Sequence, residues 1–85
     1  MTIYEFADAI NKNIVITRYS NQDNRFMAMF ESSEIKSEGC LIGVYGNGKN
    51  AEEAIMNYAN DIQGKVLVFN ALYKSRQEFI VPYFS

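Results

Sequence analysis

The stretch from residue 46 to residue 70, GNGKNAEEAIMNYANDIQGKVLVFN, constrains the fold of this chain more than any other. Asn50 stands where a helix N-cap belongs, because its short side chain can accept a free backbone N–H of the first helical turn. Glu53 follows three residues later and can reach back to the backbone N–H of the cap, as in a capping box. These residues predict a helix that begins at Ala51.

An apolar stripe indicates which face of that helix is buried. It repeats every three or four residues, which is the period of a helix packed on one side. Its members are Ala51, Ala54, Ile55, Tyr58, Ala59 and Ile62. Gly64 suits the left-handed residue that ends many helices, and an apolar run follows it. We therefore expect a helix over residues 51–63 and a central strand over residues 65–71.

The rest of the chain predicts a second helix and further strands. Thr2 and Glu5 form a capping box for an N-terminal helix. β-Branched and aromatic residues predict strands, and clusters of polar residues such as 20–24 predict the turns between them. The predicted strands are residues 14–19, 25–31 and 40–45, with a possible short final strand at 78–81.

This order, α-β-β-β-α-β with a possible final strand, predicts an α+β fold. Short hairpin connections between the first three strands favour an antiparallel meander. Helices on one face of that sheet make a two-layer sandwich. Alternation along the second strand places Phe26, Ala28 and Phe30 towards the core.

Length and composition predict one folded domain, residues 1–85. A chain of 85 residues holds a single core, and 48% apolar residues with six Phe and six Tyr exclude a disordered chain. Cys40 is the only cysteine, which excludes an internal disulfide and fits a reducing compartment. No signal peptide is recognisable, and no apolar run approaches the roughly 20 residues of a membrane span. We expect a soluble cytoplasmic protein.

The sequence predicts no catalytic residue, no metal and no cofactor. The chain has no histidine, so the commonest general base and zinc ligand is missing. Cys40 precedes Leu41 and Ile42, which predicts a small buried side chain. Glu52 and Glu53 form a carboxylate pair, but acids at a helix start stabilise the cap and the helix dipole. We expect a protein that is not an enzyme.

Residues 43–50, GVYGNGKN, nearly match the phosphate-binding P-loop G-x-x-x-x-G-K-[ST]. Asn50 replaces the Ser or Thr whose hydroxyl would bind magnesium. The apolar run after the helix ends in Asn70 where a magnesium-binding Asp is expected. We interpret the glycines as a tight turn in front of the helix.

Residues 32–39 are polar, and three glutamates lie in or beside them: Glu31, Glu34 and Glu38. The first interpretation is a solvated loop. The alternative is an acidic loop that contacts a partner, because loops on a rigid scaffold often carry function. We select these three glutamates, with Arg25 near a sheet edge, as candidate partner-binding residues.

Binding of nucleic acid is the competing hypothesis. Aromatic and basic residues alternate on predicted neighbouring strands, and such a face can stack bases. They are Tyr19, Phe26, Phe30 and Tyr45 with Arg18 and Arg25. The net charge of −2 and the scattered positions of the eight basic residues disfavour this class.

A longer pattern runs through the middle of the chain. It comprises the strand end Phe30-Glu31, the pair Gly39-Cys40, and the helix start Gly48 with Glu52-Glu53-Ala54. Residues 27–62 thereby resemble the N-terminal domain of HicB-type antitoxins, whose fold is a truncated ribonuclease-H-like one. The proline-containing signature before Gly-Cys is missing here, and Asn50 replaces the usual Thr-containing cap. The DNA-binding domain that follows this fold in HicB antitoxins has no counterpart before Ser85. The resemblance implies a shared fold and protein binding without operator binding.

These observations favour a non-catalytic binding module that neutralises or regulates a partner macromolecule. An antitoxin-like protein and a small phage or mobile-element inhibitor of a host enzyme both fit this description. The alternative is a small nucleic-acid-binding protein. We also expect a possible homodimer formed through a sheet edge, because an open meander leaves unpaired backbone groups.

Overall fold

A computed structural model describes residues 1–19 and 25–85. Over these residues the protein is an α+β fold with two helices and seven strands. The elements are α1 (Ile3–Ile10), β1 (Ile14–Tyr19), β2 (Arg25–Phe30), β3 (Ser33–Ser37), β4 (Cys40–Ile42), β5 (Gly46–Gly48), α2 (Ala51–Ile62), β6 (Val66–Phe69) and β7 (Gln77–Ile80). The predicted turn over residues 20–24 lies outside the described residues.

The strands form two antiparallel sheets, ordered β1-β2-β5 and β4-β3-β6-β7. β1 pairs with β2 as predicted, with Ile14 opposite Phe30. The expected meander of residues 14–19, 25–31 and 40–45 is wrong, because residues 40–42 form β4, which pairs with β3 in the other sheet. The possible final strand exists as β7, which pairs with β6.

The predicted loop over residues 32–39 is largely the strand β3. Ser33 and Ile35 are buried, and they lie opposite Phe69 and Leu67 of β6. Alternation places Glu34 on the other face of the sheet, so the strand reads as polar although one side of it joins the core. A strand with only two buried residues resembles a solvated loop in sequence.

The predicted strand over residues 40–45 is also different in the structure. β4 ends at Ile42, and the chain starts β5 at Gly46 in the other sheet. Gly46 lies opposite Ala28, and Gly48 lies opposite Phe26. The two glycines are therefore strand residues, and the tight turn expected there is wrong.

The core lies between the helices and the sheets, as the apolar stripe predicted. Ala54, Ile55, Tyr58, Ala59 and Ile62 of α2 are all buried. Of the three β2 residues predicted to face the core, Ala28 and Phe30 are fully buried, and Phe26 packs against the core while partly exposed. α1 adds Ile3 and Phe6 to the same cluster.

Both helix starts follow the predicted chemistry, with one difference. The Glu5 N–H donates to Thr2 Oγ1 and Glu5 Oε1 accepts from the Thr2 N–H, which completes the capping box. At α2, Asn50 Oδ1 accepts from the Glu53 N–H at 2.8 Å. The Glu53 carboxylate accepts from the Lys49 N–H at 3.3 Å, one residue before the predicted donor.

Candidate functional site

Two neighbouring cavities share Ser32 and Asn70 as common walls, and together we name them the Ser32–Asn70 cleft. The first has a volume of about 210 Å³ and is lined also by Glu31, Phe69 and the α1–β1 connection at residues 11–13. The second has a volume of about 250 Å³, and its lining residues are Met29, Ser33, Glu34, Ala71, Leu72 and Tyr73 besides the shared pair. The cleft thus forms where three chain connections meet.

The backbone at the cleft has an unusual conformation. Asn11, Ser32 and Asn70 have φ values of 57°, 57° and 52°, all in the left-handed region. Asparagine tolerates this conformation, but for a residue such as serine it costs on the order of 1 kcal/mol. The Asn70 N–H donates to the Ser32 carbonyl at 3.1 Å and holds the two connections together.

The loop between β6 and β7 is held by hydrogen bonds of its own. The Tyr73 N–H donates to the Asn70 carbonyl at 3.0 Å, and the Arg76 N–H donates to the Tyr73 carbonyl at 3.1 Å. Arg76 also pairs with Glu78 at 2.9 Å, at the start of β7. The loop is therefore an ordered turn held by its own hydrogen bonds.

This ordered loop exposes two apolar side chains. Leu72 is 95% exposed and Tyr73 is 72% exposed. Isolated exposed apolar residues are common on proteins, but here both line a cavity and stand side by side on a fixed turn. Aromatic and apolar anchors of this kind carry much of the affinity of protein interfaces.

Charged groups surround the anchors. Glu31 lines the first half of the cleft and Glu34 the second half. Among the described residues neither carboxylate forms an ion pair. Lys12 lines the first half, but its Nζ lies 4.9 Å from the centroid of the Phe69 ring. Glu34 thus lies beside Leu72 and Tyr73 in the second half of the cleft, and the exposed Lys74 follows Tyr73 directly in the chain.

The cleft contains two of the four residues that the sequence selected. Glu31 and Glu34 lie in it, but Glu38 lies in the β3–β4 turn with a left-handed φ of 48°. Glu38 is separated from Glu34 by most of β3. Arg25 begins β2 opposite Tyr19, whereas Glu31 follows the other end of that strand. The four residues do not form one site.

Sequence reasoning did not select Leu72 and Tyr73. The strand β7 follows these residues, where the sequence predicts a possible short final strand. The available signal was an apolar pair, Leu72-Tyr73, inside a turn segment where polar residues are usual.

Cys40 is exposed, so the prediction of a buried thiol is wrong. It follows the β3–β4 turn directly and lies on β4, one of the two outer strands of its sheet. Among residues 1–19 and 25–85, no strand pairs with the outer side of β4. Among the described residues, no group of three or more His, Cys, Asp or Glu side chains is placed to bind a metal ion.

The P-loop-like segment has a packing role in the structure. A Cβ on Gly46 would overlap the backbone of Ala54 and Tyr58, and a Cβ on Gly48 would overlap the backbone of Ala54 and Glu53. Both glycines are buried, and the absence of side chains lets α2 lie directly on β5. The extended segment does not curl into a phosphate cradle.

The aromatic residues considered for base stacking do not form one platform. Phe30 is fully buried and makes edge-to-face contacts with Phe6, Tyr58 and Phe69. The Arg18 guanidinium lies 5.8 Å from the centroid of the Phe26 ring. Tyr19 and Tyr45 are exposed.

Within residues 1–19 and 25–85, no helix is long and apolar enough to cross a bilayer. Comparisons with known proteins found no match to a family model, a curated protein or a solved structure. The likeness of residues 27–62 to HicB antitoxins stays a prediction from sequence.

Proposed function

We propose that this chain is a non-catalytic module that binds a partner protein through the Ser32–Asn70 cleft and thereby neutralises or regulates it. The observation that supports this most is the ordered loop that exposes Leu72 and Tyr73 beside a cavity. A preformed anchor loses little conformational entropy on binding, so its apolar contacts contribute more of their energy to affinity.

The partner has a chemistry that complements the cleft. An apolar pocket or groove accepts Leu72 and Tyr73, and basic groups beside it face Glu31 and Glu34. Rim charges of this kind speed association and select orientation more than they add affinity. An antitoxin or a phage inhibitor that blocks a basic, nucleic-acid-processing enzyme in the cytoplasm has these features. The resemblance of residues 27–62 to HicB antitoxins supports the same class.

A capture experiment with matched variants tests the proposal. The tagged chain, Leu72→Asp and Ile80→Asp are each used to capture proteins from a lysate, with and without nuclease. Ile80 is 80% exposed on β7 and does not line the cleft, so Ile80→Asp introduces the same charge elsewhere. We expect one protein to be captured by the parent and by Ile80→Asp but not by Leu72→Asp, in the presence of nuclease.

The dissociation constants of the captured protein for the parent and for Leu72→Asp then measure how much Leu72 contributes to binding. Loss of a central anchor costs about 2 kcal/mol or more, which is roughly a 30-fold rise in Kd. Capture that nuclease abolishes favours the alternative, a small nucleic-acid-binding protein that uses exposed groups such as Tyr19. Equal capture by Leu72→Asp and Ile80→Asp contradicts binding through the cleft.

A further inference from the structure

β1 is an outer strand of its sheet, and β2 is its only strand neighbour among the described residues. Its six residues extend for about 20 Å. Alternate backbone N–H and C=O groups along that length point away from β2. An outer strand of this kind is a template for pairing with another chain unless something protects it.

The other outer strands are protected or short. β5 has three residues, two of them glycines lying under α2. β4 also has three residues. β7 carries Glu78, which is paired with Lys36 and Arg76, and Pro82 follows it closely. β1 is the longest of the four and contains no proline, lysine or acidic residue, only Arg18.

Apolar side chains on both faces of β1 stay open to solvent. Residues opposite each other in antiparallel strands share a face, so Ile14, Ile16 and Arg18 lie on the face of the buried Phe30. Val15 lies on the other face. Ile16 is 37% exposed and Val15 is 38% exposed, although both belong to the β-branched type that packs well in sheets.

We propose that two copies of this chain pair antiparallel through β1, with the two-fold axis at Ile16. This register places Ile16 against Ile16 of the second copy and Val15 against its Thr17. The open apolar residues on both faces are then covered, and the two sheets join into one of six strands. This interaction goes beyond the proposed function, because no residue of β1 lines the Ser32–Asn70 cleft, although Lys12 and Asn13 border both the cleft and the groove beside β1.

Strand overlap and charge together select this register, because an axis at Ile14 or Val15 pairs fewer residues of β1. The side-chain faces must match, so the axis can pass through a residue but not between two residues. With the axis at Ile16, the two Arg18 residues are about 14 Å apart along the strands, beyond the Debye length of about 10 Å at 0.1 M salt. With the axis at Thr17 they are only about 7 Å apart and repel each other.

Charge complementarity supports a second copy as the occupant. In the proposed register Arg18 lies opposite Ile14 of the second copy. Ile14 lines a groove of about 340 Å³ together with Tyr4, Asp8 and Ile55. Arg18 of one copy therefore reaches the groove that contains Asp8 of the other copy. Because the dimer has two-fold symmetry, the Arg18–Asp8 pair occurs twice. Lys12 also lines the groove, with its ammonium 4.9 Å from the centroid of the Phe69 ring, and Arg18 exchanges its contact with the Phe26 ring for one with Asp8.

The proposed β1–β1 interface is small, so we expect weak dimerisation. A six-residue strand pair with two flanking charge pairs buries less than the about 1,200–2,000 Å² typical of stable interfaces. We therefore expect a reversible dimer whose population rises with concentration. Sedimentation equilibrium over a wide concentration range measures its dissociation constant directly.

Ile16→Lys tests the axis, and Ile80→Lys is its matched control. Two lysines at the axis lie directly opposite each other and repel, so Ile16→Lys should raise the dissociation constant on the order of tenfold or more. Ile80→Lys places the same charge on β7 and should leave it unchanged. Circular dichroism verifies that both variants are folded. A parent chain that remains monomeric, or a dimer that survives Ile16→Lys, overturns the proposal.

A charge swap tests the register with variants at exposed positions. Asp8→Arg and Arg18→Asp should each weaken the dimer, because each puts like charges together. The double variant reverses both charges and should restore the dissociation constant to near the parent value. If the double variant is no better than the single ones, Arg18 and Asp8 do not meet and the register is wrong.

Discussion

The Tyr58 hydroxyl accepts a hydrogen bond from the Phe30 backbone N–H at 3.1 Å, and both residues are fully buried. β5 pairs with β2 only along residues 26–28, so Phe30 lies beyond the end of that ladder. The Tyr58 hydroxyl, on α2, thus accepts from the Phe30 N–H, which has no hydrogen-bond partner on β5. The Ser33 hydroxyl satisfies the Phe30 carbonyl at 2.6 Å. Burial raises the pKa of Tyr58, which keeps the hydroxyl neutral.

We predict that Tyr58→Phe destabilises the fold. The substitution keeps the ring that packs against Phe30 but leaves the buried N–H without an acceptor. An unsatisfied buried donor costs about 1–3 kcal/mol. Urea denaturation measures the free energy of unfolding, and Tyr4→Phe, at a half-exposed tyrosine on α1, serves as control. Equal stabilities for the two variants would show that water replaces the lost acceptor.

Gly46→Ala should destabilise the protein far more than Gly43→Ala. A Cβ at Gly46 overlaps the backbone of α2, whereas a Cβ at Gly43 has no neighbour within 4 Å. Overpacking costs typically about 1–3 kcal/mol, and more where backbone must move. Thermal unfolding of the two alanine variants makes the comparison. If Gly46→Ala matches Gly43→Ala, α2 does not lie directly on β5.

We expect no binding of ATP or GTP with magnesium at residues 43–50. Residues 46–48 of this segment form the strand β5 under α2, so their backbone N–H groups do not converge on one point as a phosphate site requires. Isothermal titration calorimetry of the parent and of Lys49→Ala measures this. Saturable binding that Lys49→Ala abolishes would contradict the packing role of the glycines.

The pH dependence of stability should reveal the ion pairs on Glu78. A hydrogen bond from Lys36 at 2.8 Å and a second from Arg76 lower the pKa of Glu78 below its usual value of 4.5. A lowered pKa in the folded state gives stability that is present above pH 4.5 and is lost as pH falls through the folded value. Glu78→Gln should therefore be less stable than the parent at neutral pH, and the difference should shrink in acid.

Glu38→Gln is the control for this comparison, because Glu38 lies exposed in the β3–β4 turn without an ion pair among the described residues. Chemical denaturation across the acid range follows all three proteins. A difference between Glu78→Gln and the parent that stays constant with pH would show that the ion pairs do not contribute.

The sequence determined the features that depend on neighbouring residues. The buried stripe of α2, the Asn50 cap and the Thr2 capping box all act within a few positions along the chain. The same holds for β1, whose β-branched residues predicted its bounds. Helix caps and helix periodicity arise from contacts three or four residues apart, so a local pattern contains them fully.

Tertiary structure decided the features that need distant partners. Ser33 and Ile35 form a strand because β6, more than 30 residues later, pairs with them. The sequence predicts a turn at Gly46 and Gly48, and only the packing of α2 on β5 shows why glycine is needed there. The Ser32–Asn70 cleft joins three connections that are far apart in the chain. Which segments meet in space decides where a polar strand, a strand glycine and a cleft occur. Pairing between distant segments is hard to recognise in the sequence of either segment alone.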